Sequence, residues 1–201
     1  MMTQGKKTCC LLLVALVLFA AGCGGKSEKI LLTIGDRSIY ESEAHYFLIS
    51  SAQVMRTDLP YIGWDDVIDG TPVNEYIKNE AADAMRRHHA VRLKAEELSA
   101  WLTEEQQSEL DAMWNDRIAY YGNEKKYLEY LKSVGLTGEL FRYMVDTMVI
   151  YQNVREALSG ISDEEFEKLT NEWMREITYS TSDEWDKIYV KELYESYRQA
   201  S

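Results

Sequence analysis

His88-His89 follows Arg86-Arg87 directly, and it is the first place to look for chemistry. Imidazole both ligates metals and carries protons near neutral pH. Adjacent helical residues diverge by roughly 100°, so one site cannot use both rings. A solvated basic turn is the expectation for this quartet. Asp65, Asp66 and Asp69 offer the oxygen ligands that calcium takes. Their spacing lacks the EF-hand pattern, and no metal is expected there. There is no glycine-rich phosphate loop and no serine–histidine or cysteine–histidine arrangement that marks a nucleophile. These residue types point away from catalysis, and no cofactor is expected.

Cys23 carries a different chemistry. Lys6 and Lys7 give the chain a positive start, and Leu11 to Ala21 is an unbroken apolar run. Ala20-Ala21-Gly22-Cys23 then places small residues before a thiol. This order is that of a secretory leader. The tetrapeptide resembles a lipobox, with Ala20 where leucine is usual. The resemblance implies diacylglyceryl transfer to the Cys23 sulfur and cleavage between Gly22 and Cys23. A spanning helix needs roughly 20 apolar residues, and this run is shorter. Residues 1–22 are therefore expected to be a signal peptide. Residues 23–29, with Gly24, Gly25 and Ser27, are expected to be a flexible tether. The remainder, 30–201, would be held by lipid on the outer face of the cell membrane.

Charge narrows the partners. The chain has 22 basic and 34 acidic residues, a net of −12, and the leader contributes Lys6 and Lys7 with no acid. So negative a domain is not built for nucleic acid or for a polybasic grip on anionic lipid. Cys9 and Cys10 fall in the leader, so no disulfide or cysteine metal site is expected beyond Cys23.

The distinctive chemical signal is aromatic and methionine content. Tyr120, Tyr127, Tyr143, Met144, Met148 and Tyr151 recur at helical spacings. Two readings stand: they pack a core, or they line an apolar cleft for unfolded chains. Methionine is pliable and tyrosine amphipathic, so such a cleft would accept many sequences.

The elements that must position these side chains follow from periodicity. Ile30 to Ile34 and Arg37 to Tyr40, joined by Gly35-Asp36, predict a hairpin. Glu41 to Met55 has helical spacing, with Ala44, Phe47, Leu48 and Val54 expected inward. A loop is expected over 56–70. A helix to Leu98 follows, with Thr71 as N-cap and Pro72 at its first position. Thr103 and Gln106 form a capping-box pattern for the next helix, which ends near Gly122. Asn123, Thr137 and Ser162 each start a further helix. Ile177 to Ser180 alternates like a strand, and Asp183 to Tyr197 reads as one final helix. An isolated strand leaves its backbone unpaired, so 177–180 should join the hairpin. The fold class is mainly α, with a small N-terminal β-hairpin completed by a C-terminal strand.

In order and spacing these pieces resemble the helical chaperone domain of the SurA/PrsA-type extracytoplasmic foldases. The resemblance runs through Ile34-Gly35-Asp36-Arg37-Ser38-Ile39, Glu41-Ser42-Glu43, Tyr46-Phe47 and Gly70 to Lys78. It continues through Ala90 to Glu97, Tyr121-Gly122-Asn123, Gly135-Leu136-Thr137 and Ile161 to Phe166. It covers roughly residues 30–170 and implies binding of unfolded or newly secreted polypeptides. Family members usually continue into a parvulin isomerase domain. Residues 176–201 are too few for one and contain no histidine. Prolyl isomerase activity is therefore not expected, nor is enzymatic activity generally. The alternative is a structural or assembly lipoprotein with one dedicated protein partner.

Overall fold

A computed structural model of the chain describes residues 28–200. The leader, Gly22, Cys23 and most of the tether lie outside the described residues. The architecture is mainly helical, with a small three-stranded sheet. Strands β1 (Ile30–Ile34) and β2 (Arg37–Tyr40) form the expected hairpin, with Ile34 opposite Arg37. Gly35 turns it at a φ of +59°, and a Cβ there would meet His89 Nε2 at 3.1 Å. The late strand does join this hairpin. As β5 (Tyr179–Thr181) it lies antiparallel on β1 with Leu32 opposite Thr181 and Ile34 opposite Tyr179, giving the order β2-β1-β5.

Helix α1 (Glu41–Asp58) buries Ala44, Phe47 and Leu48 as expected, but Val54 is 59% exposed. The 56–70 segment is not all loop. Val67–Ile68 (β3) pairs with Thr71–Pro72 (β4) across Asp69 and Gly70, both at positive φ. Asp-Gly is a strong signal for this tight turn. Thr71 is thereby committed to a strand and does not cap α2 (Val73–Glu97), which begins after Pro72 with no side-chain cap. Helix α2 is the spine. Its first half packs against the sheet and α1, its second half against α5 (Gly138–Ala157) and α6 (Asp163–Glu176). Helices α3 (Glu104–Tyr121) and α4 (Glu124–Ser133) close a third small core around Trp114, Tyr127 and Leu131.

Thr103 with Gln106, and Ser162 with Glu165, form complete capping boxes. Asn123 and Thr137 cap α4 and α5 as read from sequence. Two expectations move at the C-terminal end. The strand begins at Tyr179, because the Ile177 carbonyl is taken by Arg86 of α2 at 2.9 and 3.2 Å. The final helix is broken into α7 (Asp183–Asp186) and α8 (Val190–Ala200). Side chains of α2 cause the break. Lys78, 2% exposed, donates to the Asp186 carbonyl at 3.0 Å. Asn74 donates to the Ile188 carbonyl at 3.3 Å and accepts from the Val190 N–H at 2.8 Å.

Candidate functional site

The Arg86-Arg87-His88-His89 quartet is not a solvated turn. Each side chain is at least half-buried on α2. Arg86 ties down Ile177, and Arg87 reaches Glu167 and Asn171 of α6, both at 2.7 Å. His89 Nε2 lies 3.4 Å from the Asp36 carboxylate at the hairpin turn. His88 points between α1 and α5, edge-on to Phe47 with ring centroids 5.2 Å apart. Its Nδ1 is buried and has no hydrogen-bond partner among the described residues. Burial, and then the charges of Arg37, Arg87 and Arg92, hold His88 down at about 4, so it is neutral at pH 7. Packing between three helices is what overturns the solvated reading.

His88 is the wall shared by two cavities. The first, about 370 Å³, lies between α1 and α2, lined by Tyr46, Phe47, Val54, Met55 and Tyr76, with Met144 of α5. Asp58 and Glu80 stand at its rim. The second, about 230 Å³, lies between α2 and α5, lined by Arg87, Val91, Thr147, Met148 and Tyr151. Together they make an open apolar groove, and Val54 and Met148 (71% exposed) extend it onto the surface. A larger cavity of about 650 Å³ opens between α1, the α4–α5 turn and α8; none of the aromatic and methionine candidates lines it.

The structure divides those six candidates. Met144, Met148 and Tyr151 come together in the groove. Tyr151 donates its hydroxyl to Glu167 at 2.7 Å; burial first, and then that carboxylate, push its pKa up to about 12. Tyr143 lines neither groove cavity; it stands in a separate cavity of about 400 Å³ with Arg37 and Glu43. The Arg37 and Arg92 guanidiniums lie 4.2 and 4.7 Å from its ring centroid, close enough for cation–π attraction. Arg37 also grips the buried Glu43 carboxylate with two hydrogen bonds, of 2.6 and 2.8 Å. Burial raises the Tyr143 pKa above its ordinary value.

Tyr127 is a core residue, not a cleft residue. It is 2% exposed and packs edge-on to Trp114 at 5.0 Å. The reason is the close approach of α3 and α4, which closes over that face. Tyr120 is 81% exposed at the end of α3, against Tyr121, and lies away from the groove.

Sequence reading missed Tyr46, Val54, Tyr76 and His88 as groove residues. The available signal was an excess of apolar side chains on α1. Val54 lies two turns after Phe47 on the same face of α1, yet Phe47 is buried and Val54 is 59% exposed, so that face runs out of cover towards its C-terminal end. Among the described residues no group of three or more His, Cys, Asp or Glu side chains could hold a metal. Asp66 instead accepts the Gly63 N–H at 2.6 Å within its turn. No helix of the described residues is long and apolar enough to cross a membrane. No family model, no curated protein and no solved structure matches the chain.

Proposed function

We propose that this protein is a chaperone-like lipoprotein that captures unfolded or newly secreted polypeptides on the outer face of the membrane. The observation that carries this reading is the open apolar groove along α1, α2 and α5, with Val54 and Met148 left uncovered beside it. Folded proteins rarely leave contiguous apolar surface exposed without a use for it. Methionine side chains reshape at low cost, so the groove can take varied apolar side chains. The order of turn and cap motifs that resembles SurA/PrsA-type foldases supports the same reading. So does the leader over residues 1–22 with Cys23 directly after it, whose lipid would tether the groove where chains emerge.

Capture here is stoichiometric. An apolar segment leaves water, its side chains fill the two cavities, and the acidic exterior keeps the complex soluble. The test uses the full chain in detergent micelles and several unrelated, chemically denatured clients. Aggregation, followed by light scattering, should slow in proportion to added protein. Val54→Ser with Met148→Ser should weaken the effect, since both side chains are exposed and the fold does not depend on them. No effect on any client at excess protein would overturn the proposal and favour a dedicated partner.

A further inference from the structure

The groove is electrically lopsided. At its α2–α5 end Arg87 is already paired with the Glu167 carboxylate and donates to the Asn171 amide oxygen. At its α1–α2 end Asp58 and Glu80 line the first cavity, and neither forms an ion pair among the described residues. Asp58 is the last residue of α1, where a helix presents its partially negative carbonyl end. An acid there is unfavourable to its own helix, and a cation is favoured. Tyr76, in the same cavity, feels the result. Its pKa is raised first by burial and then by Glu80, Asp69 and Asp58. Three sources of negative potential therefore converge on the rim of an apolar pocket, while Arg56, the cation of the last α1 turn, is turned to the Ile62 carbonyl and the Trp64 ring and pairs with neither acid.

We propose that the groove selects polypeptide segments in which a bulky apolar side chain is flanked by lysine or arginine, the apolar group entering the first cavity and the cation resting between Asp58 and Glu80. This rests on the polypeptide-capture reading and names its client class. The chemistry has two parts. Burial of the apolar side chain supplies most of the affinity. The cation adds selectivity, because a long basic side chain can lay its methylenes along Tyr76 and keep its charge at the rim. An acidic flank would meet two carboxylates and a helix C-terminus, and would be rejected.

The test compares labelled peptides with a tryptophan–leucine centre and lysine, serine or glutamate flanks, by fluorescence anisotropy on the full chain. At low salt the lysine peptide should bind about fivefold more tightly than the serine peptide, and the glutamate peptide should be weakest. The preference should shrink near 1 M salt, where screening is nearly complete. Asp58→Asn with Glu80→Gln should erase the ranking, so that the lysine, serine and glutamate peptides bind alike. A charge-matched control, Glu109→Gln with Glu172→Gln, changes exposed acids on α3 and α6 and should leave the ranking unchanged. Equal binding of all three peptides, or an equal loss in the control, would overturn client selection and leave polypeptide capture standing. Binding of none would overturn both. A dimer that Val54→Ser dissociates would assign the groove to a second copy and overturn the proposal.

Discussion

Asn74 caps helix α8 from 116 residues away, its Oδ1 accepting the Val190 N–H at 2.8 Å. The same side chain donates to the Ile188 carbonyl at 3.3 Å, so one amide serves both sides of the α7–α8 break. Asn74→Ala removes both bonds and leaves a helix start uncapped, which should cost about 1–2 kcal/mol. Asn74→Asp keeps the acceptor and should cost less. Urea denaturation of the two variants checks the order. Equal stabilities would mean that α8 is held by its apolar contacts alone.

Met148 and Tyr127 should behave oppositely on truncation. Tyr127→Ala opens a void beside Trp114 and should destabilise by about 3–5 kcal/mol. Met148→Ala changes an exposed side chain and should stay within about 0.5 kcal/mol of wild type. Client capture should fall in the Met148 variant while its melting temperature holds. Thermal unfolding measured beside aggregation suppression separates the two effects.

Acid should loosen the fold through His88. Unfolded, its imidazole titrates near 6.5; folded, it is held down at about 4, by burial first. As pH falls through this window the unfolded chain takes up a proton that the folded chain refuses. Stability that is complete above pH 6.5 is then lost, by up to about 3 kcal/mol at the acid end. His88→Gln should flatten this part of the curve. Urea midpoints near pH 7 and near pH 5 give the difference, and identical slopes in the two proteins would assign the acid response to other groups.

Ending the chain after Arg175 should be severe. The cut removes β5, which covers the β1 edge, and with it Trp185 and Val190, both buried in the largest core. An open strand edge over an uncovered core favours aggregation. Size-exclusion chromatography should show the shortened chain in aggregates, whereas a stable monomer with unchanged melting would make the terminal segment dispensable.

Cys23→Ala should abolish fatty-acid labelling and release the protein from membranes. Firm anchoring needs more than one acyl chain, which diacylglyceryl transfer would supply. Membrane fractionation is decisive here: a variant retained as well as wild type would require some other anchor.

Local signals were legible in the residue order. The Gly35 hairpin, the capping boxes at Thr103 and Ser162, and the caps at Asn123 and Thr137 each depend on a few neighbouring residues, so the sequence alone determined them. The pairing of the late strand with the hairpin was legible too, since one short strand has nowhere else to satisfy its backbone. Tertiary structure decided the rest. Asp183 to Tyr197 has the periodicity of one helix, but Lys78 and Asn74 take the backbone groups at its middle and split it. His88 reads as part of a basic surface until α1 and α5 close around it. Tyr127 and Met148 have the same apolar standing along the chain. One is sealed by α3 against α4, and the other stands open beside a groove, because which helix lies opposite a given face is set by contacts distant in sequence.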